Sequence, residues 1–89
     1  MIPTVGRIVH YRLSEVDATN VASSRARSST HGNTAREGDV FPMVIVRTWG
    51  DTEGAAVNGR VLLDGPDDLW VTSRNEGTGP GTWSPPPRI

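Results

Sequence analysis

Nine arginines, Arg7, Arg12, Arg25, Arg27, Arg36, Arg47, Arg60, Arg74 and Arg88, stand in a chain without a single lysine. A guanidinium is a planar fork that grips carboxylate or phosphate with two parallel hydrogen bonds and stacks on aromatic faces, whereas lysine is a mobile point charge. Three tryptophans, Trp49, Trp70 and Trp83, fall at or near the ends of strand-like segments. Arginine forks beside indole rings suit a planar anionic ligand. Codon usage in a GC-rich genome is the competing account of the missing lysines. The arginines that strands would hold rigid are Arg12, Arg47, Arg60 and Arg74, and Asn58, Thr72 and Ser73 offer neutral hydrogen-bonding groups for a base or ribose. The expected ligand-binding set is therefore Arg12, Arg47, Trp49, Asn58, Arg60, Trp70, Thr72, Arg74 and Trp83, with the pocket formed between protomers. Arg25, Arg27 and Arg36 lie in a polar stretch that could close over an anion, but they read first as solvated charges.

Catalysis is harder to assemble from these residues. There is no cysteine, and no serine sits in a nucleophile elbow. His10 alternates with Ile8 and Arg12 and reads as an ordinary strand residue; His31 lies beside Gly32 in a segment too unconstrained to preorganise a base. Two histidines and scattered acids do not make metal-ligand spacing. Asp64, Asp67 and Asp68 evoke a cation site, but Asp-Gly-Pro-Asp is ordinary turn chemistry. Gly77, Gly79 and Gly81 lack the strand-before, helix-after context of a phosphate loop. A non-enzymatic protein with no cofactor and no metal is expected.

Eighty-nine residues make one domain at most. A chain of this length buries only roughly 60–65% of the surface its unfolded state exposes. The hydrophobic share is 35% and mean hydropathy is −0.39, so the core is small. With disulfides and thiolate metal sites excluded, oligomerisation is the remaining source of added stability, and a homo-oligomer is expected. The chain opens without a signal-peptide pattern, and no run approaches the roughly 18 apolar residues that cross a bilayer; the expectation is a cytoplasmic protein with no membrane partner. Net charge is −1. Residues 1–38 hold five arginines and three acids, +2, and residues 39–89 four arginines and seven acids, −3. Neither half resembles the basic stripe of a nonspecific nucleic-acid binder, so no nucleic-acid partner is expected.

These side chains need elements to position them. From Val5 to Leu13, alternation puts Arg7, Val9, Tyr11 and Leu13 on one face and Ile8, His10 and Arg12 on the other, a half-buried first strand. Ser14 can cap a following helix whose first-turn acids, Glu15 and Asp17, complement its dipole. The helix is expected over 14–27, with Val16, Val21 and Ala22 as a thin apolar stripe, and a flexible loop over 28–38. Val40 to Trp49 is the most apolar run and reads as the central strand, with Pro42 placing it at an edge or at its own beginning. Ala55 to Asp64 reads as a third strand with Val57, Val61 and Leu63 on one face, Gly59 marking a bulge or a close approach. A tight turn then leads to a fourth strand over Leu69–Ser73. Residues 74–89, rich in glycine and proline, are expected as an extended tail. The sum is a mainly β fold: a small antiparallel barrel or curled sheet of four to five strands, with one short helix after the first.

Four segments carry a resemblance: Gly6-Arg7-Ile8-Val9-His10-Tyr11, Gly38-Asp39-Val40-Phe41-Pro42, Val57-Asn58-Gly59-Arg60-Val61-Leu62-Leu63-Asp64-Gly65 and Gly79-Pro80-Gly81-Thr82-Trp83. On these the chain resembles a group of small proteins encoded by tailed bacteriophages and prophages, over nearly its whole length apart from the 20–36 region. Trp83-Ser84-Pro85 departs from the aromatic that often follows there. The resemblance implies a phage accessory protein inside a bacterial host cell. By analogy with other small phage β-barrels, it would be an oligomer that sequesters a small anionic, nucleotide-type signal of bacterial immunity. The alternative is a structural or interaction module, either a virion or assembly component or an inhibitor docking on a host protein. An SH3-like nucleic-acid binder is disfavoured by the charge balance.

Overall fold

Alternating apolar residues close into one antiparallel sheet. The computed structural model describes residues 1–87; Arg88 and Ile89, the end of the expected tail, lie outside the described residues. Strand β1 spans Ile8–Arg12, helix α1 Glu15–Ser28, and strands β2, β3, β4 and β5 span Val40–Thr48, Val57–Leu62, Asp68–Arg74 and Trp83–Ser84. The strand order is β4-β3-β2-β1-β5, so this is the expected mainly β curled sheet with one helix after the first strand. Val9, Tyr11, Met43, Ile45, Val57, Val61, Val71 and Trp83 turn inward and are joined by Leu13, Val21 and Leu63 in one core.

The most apolar run is central, as expected. Pro42 is tolerated because it precedes the first β2–β3 pair, Met43–Val61, and is matched only to His10 of β1. Gly59 is a close approach: a Cβ there would lie 2.7 Å from Met43 Cγ and from the Val44 carbonyl oxygen. The bulges fall on its neighbours instead. Register slips by one residue on β2 between Ile45 and Arg47 and on β4 between Val71 and Arg74, where Ser73 takes a left-handed φ of 54°. Both slips face the same residue of β3, Asn58. Paired bulges raise the local twist, and the sheet curls until its opposite edges meet at one bridge. There Trp83 N–H donates to Asn75 O at 3.2 Å and Gly77 N–H donates to Trp83 O at 2.9 Å, with Glu76 and Trp83 in parallel register. The expected extended tail is thus partly built in. Arg74 ends a strand, and Trp83 is fully buried as the largest core side chain.

The helix departs from its expected apolar stripe. Val21 is buried, but Ala22 is exposed and Val16 is 66% exposed. Polar clasps hold α1 instead. Ser14 and Asp17 form a reciprocal capping box, each side chain accepting from the other's backbone N–H. Buried Asp17 then pairs with Arg74 at the end of β4, Nη2 to Oδ1 at 3.2 Å. Arg25 reaches Asp67 just before β4 with a two-pronged contact, Nε to Oδ2 at 2.8 Å and Nη2 to Oδ1 at 3.1 Å. Arg25 is therefore a structural clamp rather than a solvated charge. The same guanidinium donates to Asn33 O at 2.8 Å, while Asn33 N–H donates to Asp64 O at 2.8 Å, tying the 29–39 loop to the β3–β4 turn.

Candidate functional site

Asn58 organises the outer face of the sheet. Its Oδ1 accepts from Ser73 N–H at 2.8 Å and from Trp49 Nε1 at 3.0 Å, so one amide oxygen spans both bulges. Arg47 is registered opposite Asn58, and its guanidinium lies 4.9 Å from the centroid of the Trp49 ring. Two residues along β3, Arg60 is paired with Trp70 across β4, 5.3 Å from that ring's centroid, and donates to Asp68 at 2.9 Å. Thr72 follows Trp70 on the same face by strand alternation. Six of the nine expected residues, Arg47, Trp49, Asn58, Arg60, Trp70 and Thr72, are thus gathered on β2–β3–β4. Trp49 and Trp70 are 57% and 45% exposed. An arginine over each ring holds it at a defined orientation, an arrangement worth about 0.5–1 kcal/mol at exposed sites.

The other three are placed elsewhere. Arg12 is on the outer side of β1, opposite Val40, its Nη1 donating to Gly38 O at 3.0 Å; it borders a small hollow with His10, Gly77, Thr82 and Ser84. Arg74 points inward, where it pairs with Asp17 and lies 6.0 Å from the Tyr11 ring centroid. Its Nε is buried with no hydrogen-bond partner among the described residues. Trp83 is core, its Nε1 donating to Arg74 O at 3.0 Å. The glycine-rich bend brings it under the sheet, not over the other two indoles, because it is the largest apolar group available to fill a small interior.

A cleft of about 440 Å³ opens where α1 runs beside β4, walled by Val21, Leu63 and Leu69 and rimmed by Arg60 and Trp70. Its helix side consists of Asn20, Ser23, Ser24 and Arg27. The spacing 20, 23, 24, 27 is i, i+3, i+4, i+7, one face of a helix. That spacing is present in the sequence, but it lies in the polar stretch whose arginines read as solvated charges. Asp67 and Asp68 complete the lining, but each carboxylate has a partner, Arg25 and Arg60 respectively. The hydrogen bond from Arg25 holds the Asp67 carboxyl below the ordinary carboxylate range, burial opposing it. Arg27 has no ion-pair partner among the described residues. The cleft thus offers an apolar wall, an indole edge, two hydroxyls, an amide and one uncommitted positive charge.

Asp64 accepts from Asn33, so the three aspartates of the turn serve three separate contacts. No cluster of three metal-ligating side chains occurs among the described residues, and no helix among them is long and apolar enough to cross a membrane. No protein-family model matches the chain, and comparison with curated proteins and with solved structures finds no similar chain.

Proposed function

We propose that this protein binds, without transforming, a small anionic ligand of nucleotide type, and that the ligand occupies the cleft between α1 and β4. The observation that carries this reading is the meeting of Arg27, Arg60 and Trp70 around an apolar-walled space of about 440 Å³, within the roughly 300–1,000 Å³ of small-molecule sites. A phosphate fits the uncommitted Arg27 fork, Ser23 and Ser24 offer hydroxyls to its oxygens, and a planar base fits against Trp70 and Leu69. Binding is favoured over turnover because the two carboxylates in the cleft are engaged by arginines and Asp67 is held ionised, a poor proton donor at neutral pH. The roles of phage accessory and of sequestering an immune signal rest on the sequence resemblance and its analogy, and assembly into a homo-oligomer rests on the small size of the core.

Melting the protein with and without cyclic dinucleotides and ADP-ribose tests the proposal. A ligand at 100 times its Kd adds about 2.7 kcal/mol to stability, a rise on the order of 10–20 °C in Tm for a domain of this size, and Arg27→Ala should abolish that rise. Unchanged Tm with every nucleotide in the panel overturns the reading.

A further inference from the structure

The strands hold four arginines and a single acid, Asp68. Only Arg74 of the four turns inward. Arg12, Arg47 and Arg60 are left on the outer face against Asp68, a surplus of two positive charges in a chain whose net charge is −1. The same face is apolar: register places Ile8 beside Val44, Val44 beside Arg60, and Arg60 beside Trp70 in one row across four strands. Ile8, Leu62 and Trp49 are 53%, 43% and 57% exposed. α1 packs on the opposite, inward side through Val21 and Asp17 and only borders this one at Arg60 and Trp70, the rim of the cleft, so among the described residues no element covers it. Exposed tryptophan and arginine are the side chains that anchor protein interfaces.

We infer that the outer face of β1–β4 docks an acidic segment of another protein, one that places aliphatic or aromatic side chains on the Ile8–Val44–Trp70 row and carboxylates on Arg47 and Arg12. Charge selects this occupant over a second copy, since two copies face to face would oppose like surpluses. Aliphatic exposure and only three arginines favour protein over nucleic acid, whose binding is dominated by phosphate neutralisation.

Selection of a random dodecapeptide library against the intact immobilised protein tests the inference. Enriched peptides should combine Asp or Glu with Phe, Trp, Leu or Ile. Their affinity should fall about tenfold in Arg47→Glu and in Ile8→Ser, both exposed changes that leave the core untouched, and should be unaffected by Arg27→Ala in the cleft. The last arm separates failure here from failure of the ligand reading. Peptides without acidic bias, or peptides held equally by Arg47→Glu, overturn the inference. So do a dimer in sedimentation that Ile8→Ser dissociates, which makes a second copy the occupant, and micromolar binding of a dT12 oligonucleotide, which makes it nucleic acid.

Discussion

At the scale of single residues, two polar groups do work that their types alone do not announce. Tyr11 is fully buried and donates to Asp17 Oδ2 at 2.5 Å. Burial first, and the bond to Asp17 second, push the phenol above its ordinary range, so it is protonated and a donor at neutral pH. Tyr11→Phe leaves the packing in place and removes one hydrogen bond to a buried charge, which should cost about 2 kcal/mol in urea denaturation; a loss below about 0.5 kcal/mol would show that the bond is replaceable. Among the described residues Asn58 is used only through Oδ1, as an acceptor for two donors. Asn58→Asp should therefore keep Tm within a few degrees, whereas Asn58→Ala should lose about 1–2 kcal/mol and alter Trp49 fluorescence. Equal melting of the two variants would contradict the acceptor role. In the sequence Asn58 was legible as a polar strand residue, but its place opposite two register slips was not, because bulges on neighbouring strands leave no trace in the pattern of β3 itself.

At the scale of elements, the helix is the instructive case. Its start was legible, since Ser14 with Asp17 three residues later is a local capping signal, and its bounds agree with the expectation to within a residue. What attaches it was not legible. Arg25–Asp67 and Asp17–Arg74 join residues 42 and 57 positions apart, and no short-range pattern reports such pairs. Ser14→Ala should cost about 1 kcal/mol through the lost cap. Ser29, at the helix C-cap with a φ of 54°, carries the penalty of a side chain in the left-handed region. Ser29→Gly should raise stability by about 0.5–1 kcal/mol, and a fall in Tm would show that the Ser29 side chain makes a contact outweighing the strain.

At the scale of the whole molecule, the clamp on Asp67 predicts how stability follows pH. Its carboxyl titrates lower in the folded chain than in the unfolded one. The clamp's contribution is therefore complete above the unfolded value, about pH 4, and is lost as pH falls through the depressed folded value. The Tm difference between the wild type and Asp67→Asn should be widest near neutrality and should shrink below about pH 4; a gap independent of pH would mean the contact is not ionic. The candidate site divides along the same lines as the fold. Alternation and β-branched runs determined the strands, their inward faces and the outward position of Asn58, Arg60, Trp70 and Thr72, since side-chain direction in a strand is a period-two property of the local chain; Arg47, two residues beyond inward Ile45, faces outward only because the bulge between them shifts the register. Tertiary structure alone decided that Arg74 and Trp83 belong to the interior, that Arg25 is a clamp, and that a cleft lies between α1 and β4. Each of those outcomes depends on which distant segments meet when the sheet curls, and burial of the largest apolar group together with pairing of the buried charge settles that choice only in three dimensions.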